Sequence, residues 1–141
     1  MKIAIVILNW NGLELLKEFL PTVVKHAANS AKIYVADNAS TDDSLQFIKS
    51  QFPMVNCILL EKNYGYAEGY NRALKEVEET YAILLNNDVA FKSDVVSPIL
   101  NLFESQKEIA AIQPKILDYK NPNSFEYAGA AGGFLDWFAY P

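Results

Sequence analysis

Tyr81-Ala82-Ile83-Leu84-Leu85-Asn86-Asn87-Asp88 is the stretch that decides the fold. Its first five residues have the length and composition of a strand buried on both faces. Three polar residues then end the run, and the last of them is a carboxylate. A carboxylate at the C-terminal edge of a buried strand is costly unless a charged group meets it there. In open α/β sheets that edge is where ligands bind.

The same alternation extends outward. Residues 2–8 are an apolar, β-branched run that predicts a first strand. Leu16, Phe19, Leu20, Val23 and Val24 recur at helical spacing within 13–28, and Pro21 is expected to kink or break that helix. Residues 32–36 predict a second strand. Ser40 reads as the N-cap of the next helix, with Asp42 and Asp43 in its first turn and Leu45, Ile48 and Phe52 on its apolar face. Residues 55–60 predict a third strand. Ala67, Tyr70, Leu74 and Val77 mark the inner face of the helix after it, with Lys75 and Glu79 as an i,i+4 pair on its solvated side. A helix between residues 93 and 106 and a short fifth strand at 109–112 follow the decisive run.

Such an alternation predicts an α/β fold: a mostly parallel, Rossmann-like sheet flanked by helices on both faces. Right-handed crossovers put every strand-to-helix connection on one edge. Four polar clusters fall there and are expected to converge: Asn9-Trp10-Asn11-Gly12, Asp37-Asn38-Ala39-Ser40, Asn63-Tyr64-Gly65-Tyr66 and Asn86-Asn87-Asp88. The pattern weakens later, so the organisation reads as a core at 1–117 and an irregular segment at 118–141. That segment ends in Trp137-Phe138-Ala139-Tyr140-Pro141, an aromatic surface a longer chain is expected to cover.

A length of 141 residues suits one domain with a real core. At 51% hydrophobic and 21% charged residues, the chain is not an intrinsically disordered one. The formal net charge of −5 argues against a nucleic-acid partner, and an anionic ligand would need a metal or local donors. Cys57, the lone cysteine, excludes a disulfide framework and reads as a small buried hydrophobe. His26 reads as a solvent-facing or capping residue. The N-terminal apolar run is too short for a signal peptide, and no run approaches the roughly 18 residues of a membrane span. The expectation is a cytoplasmic protein, with peripheral association at the inner face of a membrane left open.

Asp88 offers hard oxygen ligands that suit a magnesium or manganese ion carrying a diphosphate. Its ordinary alternative is an exposed turn residue. Asp37 can accept from a nucleobase imide or a ribose hydroxyl, or cap the next helix. Gly65 permits a tight turn and Gly69 a close backbone approach; a turn and a packing glycine are the plainer reading. Neither a GxGxxG fingerprint nor a phosphate-cradling GxxxxGK[ST] loop is present.

Taken together, the segments resemble the family 2 glycosyltransferases with a GT-A fold. The resemblance rests on Ile5-Val6-Ile7-Leu8-Asn9-Trp10-Asn11-Gly12, Val35-Ala36-Asp37-Asn38-Ala39-Ser40-Thr41-Asp42, Asn63-Tyr64-Gly65-Tyr66-Ala67-Glu68-Gly69-Tyr70-Asn71 and Leu84-Leu85-Asn86-Asn87-Asp88-Val89, in the family's order and spacing. It extends through Gln113-Pro114-Lys115-Ile116.

The resemblance implies the donor-binding half of a GT-A, nucleotide-diphospho-sugar transferase fold. Asn9 to Asn11 would line the nucleoside pocket. Asp37 would bind the base or ribose, and Asn63, Gly65 and Asn71 would shape the wall. Asn87 and Asp88 would complete the nucleotide-sugar site, with Asp88 in the place of the family's metal-binding aspartate. Asn86 replaces the first aspartate of that motif, which leaves one charge fewer near the cation. The implied reaction moves a sugar from a nucleoside diphosphate to the hydroxyl of a saccharide or lipid-linked acceptor, with inversion, as in cell-envelope polysaccharide synthesis. Magnesium or manganese would assist the leaving diphosphate, and a carboxylate would take the acceptor proton. That base is expected beyond Pro141, since Asp136 lies in a sequence that does not match the base motif. Two other readings stand beside this one. A nucleotide-binding module without catalysis shares every motif. A receiver-like domain phosphorylated at Asp37 or Asp88 lacks the acidic pair after the first strand, where Asn9 and Asn11 stand.

Overall fold

Alternate side chains of the first strand, β1 (Ile3–Asn9), enter two different cores. Ile3, Ile5 and Ile7 pack with Leu16, Leu20, Val23 and Ala27 of α1 (Leu13–Ala27), with Ile33 and Val35 of β2 (Lys32–Asp37), and with Ile48 of α2 (Ser44–Gln51). Ala4 and Val6 face the other way. They pack with Tyr34 and Ala36 of β2, Ile58 of β3 (Asn56–Leu59), and Tyr70 and Ala73 of α3 (Gly65–Ala73). This is the period of two that a strand imposes, filled with apolar residues on both sides. Each fully buried aliphatic side chain contributes roughly 1.5–3 kcal/mol relative to exposure.

The computed structural model describes residues 1–126 and Trp137. The chain divides into two units, Met1–Asn101 and Leu102–Pro141. In the first, the sheet is four-stranded in the order β3-β2-β1-β4, with β4 at Tyr81–Asn86 and every pairing parallel. Register levels the strand ends: Asn9 stands beside Asp37, Leu8 beside Asn86, and Asp37 beside Leu59. The polar clusters therefore leave the sheet along one rim. β4 is an edge strand of this sheet, so its Ala82 and Leu84 are exposed where a strand buried on both faces was expected. Helix α4 (Val96–Ser105) begins with Val96 fully buried in the first core.

Several local expectations need correction. Helix α1 runs through Pro21 without a break. Pro21 is exposed, so the hydrogen bond it cannot donate faces solvent, while Leu20 and Val23 hold both halves against the sheet. Helix α2 starts at Ser44 rather than after Ser40, because Ser40 and Asp42 bond to the β1–α1 connection instead. Ala67 is exposed, and α3 unwinds into a 3-10 turn at Leu74–Glu76. Glu79 then lies outside any helix. It accepts from Tyr34 Oη at 3.0 Å and pairs with Lys32 at 3.5 Å, not with Lys75. Burial raises the Glu79 carboxyl, but the Tyr34 hydrogen bond and the Lys32 charge outweigh it and hold the group below its ordinary value.

In the second unit, Leu117 and Phe125 form an antiparallel bridge closed by Asp118 N–H to Ser124 O at 3.0 Å. Residues 109–112 form no strand. Two isoleucines separated by two alanines bury too little, and Pro114 removes a ladder donor just beyond. Asp136 and the aromatic ending lie outside the described residues apart from Trp137, which is exposed. Among the described residues no helix is long and apolar enough to cross a membrane.

Candidate functional site

Asn9 ends β1 with its side chain fully buried and every N–H engaged. Its Nδ2 donates to Asp37 Oδ1 at 3.2 Å and to Ser40 Oγ at 3.3 Å. Its Oδ1 accepts from Asn87 Nδ2 at 3.0 Å. One carboxamide thus joins the connections after β1, β2 and β4. Asp37 is only 2% exposed, and its Oδ2 accepts from the backbone N–H of Ser40 at 2.9 Å.

Around this hub the first two connections interlock. Ser40 Oγ accepts from Asn11 N at 2.9 Å, and Asn11 Oδ1 accepts from Thr41 N at 2.7 Å. Asn11 and Ala39 both adopt left-handed backbone, with φ of 49° and 59°. Asparagine tolerates that region; alanine does so only when its surroundings hold it there. Asp42 Oδ2 accepts from Leu13 N at 3.0 Å, satisfying a donor at the start of α1 that its own N-cap, Gly12, has no side chain to meet. Burial raises the Asp42 carboxyl, but hydrogen bonds from Ser44 and Leu13 outweigh it and hold the group below its ordinary value.

Asn38 joins the third connection. Its Nδ2 donates to Asn63 Oδ1 at 2.9 Å and to Gly65 O at 3.0 Å, and its Oδ1 accepts from Tyr64 N at 2.9 Å. Gly65 has a φ of +74°, which explains glycine there. Tyr66 Oη then donates to Asn86 Oδ1 at 3.1 Å, and Tyr70 Oη to Leu85 O at 2.9 Å. These two tyrosines tie α3 to the end of β4.

Leu8, Tyr66, Asn86, Asn87 and Asp88 line an open hollow of about 210 Å³. Asp88 is exposed and is the one carboxylate in that lining. Among the described residues no group of three His, Cys, Asp or Glu side chains forms a ready-made metal cage. A single aspartate at the mouth of a hollow fits a divalent cation whose remaining ligands are diphosphate oxygens and water, the usual manner of magnesium binding. A larger hollow of about 470 Å³ lies behind Tyr64, beside Cys57, Leu59 and Arg72, and includes none of the Asp37 or Asp88 connections.

The expected site residues therefore distribute as follows. Asn9, Asn11, Asp37, Asn63, Gly65 and Asn87 belong to one hydrogen-bonded rim, with Asp88 next to Asn87. Asn71 stands exposed on α3 and takes no part in the network. The sequence places Trp10, which is 56% exposed between Asn9 and Asn11, and Asn38, Ser40 and Tyr66 in the converging clusters, but it does not show the links of the rim that the last three carry. A tryptophan inside a polar, glycine-ended turn was the available signal. The partners of Asn38 and Ser40, being distant in sequence, left none.

The sequence matches the profile described as Glycosyl transferase family 2 across residues 4–133. The chain belongs to that family. Among solved structures, this family 2 chain is similar to S. aureus TarS 1-349 in complex with UDP, with a TM-score of 0.67 at 17% identity, over 84% of this chain and 40% of that one. The TarS complex with UDP-GlcNAc gives 0.68 at 17% identity, over 84% and 38%. The mannosyltransferase PcManGT from Pyrobaculum calidifontis, in complex with GDP-Man and Mn2+, gives 0.60 at 17% identity, over 82% and 33%. At such identities the likeness speaks for the fold, which is that of GT-A glycosyltransferases. The chain spans about 40% of the length of the TarS 1-349 structure it matches. No curated protein matches the sequence.

Proposed function

We propose that the chain binds the nucleoside diphosphate sugar of a glycosyltransferase and presents the sugar for transfer to an acceptor hydroxyl, saccharide or lipid-linked, with inversion. The observation that carries this reading is the rim itself: Asp37 and the Asn87-Asp88 turn share one buried carboxamide, beside a hollow edged by a single exposed carboxylate. Asp37, Asn11 and the exposed face of Trp10 would receive the nucleoside, and Asn63, Gly65 and Asn71 would form the wall. Asn87 and Asp88 would face the diphosphate, with Asp88 as protein ligand to magnesium or manganese. When bound, that cation supplies Lewis-acid stabilisation of the departing diphosphate. The neighbours solved with UDP, UDP-GlcNAc, and GDP-Man with Mn2+ support a nucleotide-sugar donor and a divalent ion. For these 141 residues alone, binding without transfer is the second reading, favoured by the share of the related structures that they span.

The test is donor turnover. UDP-GlcNAc or GDP-Man is mixed with the chain, Mn2+ and a panel of acceptor glycans, and nucleoside diphosphate release is compared with sugar incorporated. Equal amounts support transfer. Saturable binding without release supports the second reading. Neither binding nor release contradicts both.

A further inference from the structure

Asn9 has no exposed surface, yet it touches Asp37 and Asn87, at the two ends of the proposed donor site. Its side chain is fully buried; Asp37 takes one N–H, Ser40 the other, and Asn87 donates to its oxygen. We propose that Asn9 is a positioning residue that locks the Asp37 carboxylate and the 86–88 turn in one fixed relation, so that nucleoside and metal-bound diphosphate are held as a single preorganised ligand. The inference rests on the nucleotide-sugar reading above and adds to it how the two halves of the site are joined.

Chemistry explains why asparagine is the residue there. The position needs two donors and an acceptor in one plane, and of the short side chains only a carboxamide has them. Aspartate would bring no donor and would set a second charge against Asp37. Serine or threonine would supply one donor for two acceptors. Because the amide is planar and rigid, tilting it to follow one partner breaks the bond to the other.

Gly12 gives an independent sign of the same construction. A Cβ at Gly12 would overlap both Asn87 Nδ2 and Asn9 Oδ1, the two atoms of the hydrogen bond itself. The β1–α1 connection has been kept free of a side chain where that bond passes. Strand register brings the same three ends together, with Asn9 beside Asp37 and Leu8 beside Asn86.

The experiment is calorimetric titration of the 141-residue chain with UDP and with GDP, each in Mn2+ and in EDTA. For the preferred nucleotide, Mn2+ should raise affinity about tenfold or more, within the usual range of coupling between two ligands. Asn9→Ala should lower the affinity in Mn2+ about tenfold or more and reduce the Mn2+ enhancement to about twofold. Asn87→Ala, at the half-exposed end of the same bond, should lose the enhancement; it carries the test if Asn9→Ala does not fold. Val23→Ala, a core change in α1 remote from the rim, should keep both quantities within about twofold. If wild type binds but Asn9→Ala and Asn87→Ala keep their Mn2+ enhancement, the role of Asn9 is overturned while the nucleotide reading survives. An equal loss in Val23→Ala overturns it too, since the effect is then general destabilisation. If wild type binds neither nucleotide, the underlying reading fails and this one with it.

Discussion

Asn9 and Asn87 are 78 positions apart in sequence, and Asn87 Nδ2 meets Asn9 Oδ1 at 3.0 Å. The pairing of β1 with β4 makes that contact possible, since Leu8 lies in register with Asn86. The sheet thus converts four separate polar turns into one rim. Each turn is then held by its neighbour more than by itself, and the variants below should show it.

Asn38→Ala should destabilise the chain by about 1–3 kcal/mol, because it strands Tyr64 N–H and removes the Nδ2 that joins Asn63 Oδ1 and Gly65 O, Asn63 Oδ1 keeping only the Gly65 N–H. Urea denaturation reads this directly. A change below about 0.5 kcal/mol would mean that the 63–65 turn holds its own shape.

Gly65→Ala separates strain from crowding. No atom lies within 4 Å of the place its Cβ would occupy, so the cost should come from the left-handed backbone alone. About 1–2 kcal/mol is expected by the same denaturation measurement. A neutral result would show that the turn has relaxed to another conformation.

Asp42 sets a pH dependence. Its folded carboxyl lies below the ordinary value of 3.8, so the folded state binds fewer protons than the unfolded chain in that window. The stabilisation is present above that ordinary value and is lost as pH falls through the lower, folded value. Wild type should therefore exceed Asp42→Asn by about 1 kcal/mol near pH 6, with the difference shrinking as pH falls through the lowered, folded value. A difference that grew with acid would contradict the assignment.

Pro21→Ala should stabilise α1. It restores an N–H donor in the third turn of a helix that stays regular without one. A gain of about 1–2 kcal/mol is expected after the greater freedom of the unfolded chain is deducted. Any loss would show that the ring packs in a way its exposure does not suggest.

Much of this architecture could be read from the residues. β1, β2 and β4 are apolar runs ended by clusters rich in Asn and Asp, and right-handed crossovers then require their connections to share an edge. Asp37, Asn63 and Asp88 fall on that edge for this reason. The links between them could not be read. Ser40 looks like a helix cap because Asp42 and Asp43 follow it, but its hydroxyl serves Asn11, 29 positions earlier. Lys75 and Glu79 have helical spacing, but α3 unwinds at Leu74 and Glu79 goes to Tyr34, 45 positions earlier. The resemblance put Asn9 in the pocket lining, and only coordinates reveal that its side chain is spent beneath the rim. Local pattern does not report the partner that faces a residue from a distant strand, and at Ala67 and Leu84 it does not report the face either.

The central claim is that Asp88 holds, with Mn2+, the diphosphate of a nucleotide whose base end lies at Asp37. Thermal melting of wild type and Asp88→Ala with UDP or GDP, in Mn2+ and in EDTA, tests it most directly. At a nucleotide concentration of about 100 Kd, wild type in Mn2+ should melt on the order of 10 °C higher than without ligand. Asp88→Ala should lose most of the part that depends on Mn2+ and keep the part seen in EDTA. An Asp88→Ala protein that retains the full Mn2+-dependent shift would contradict the account.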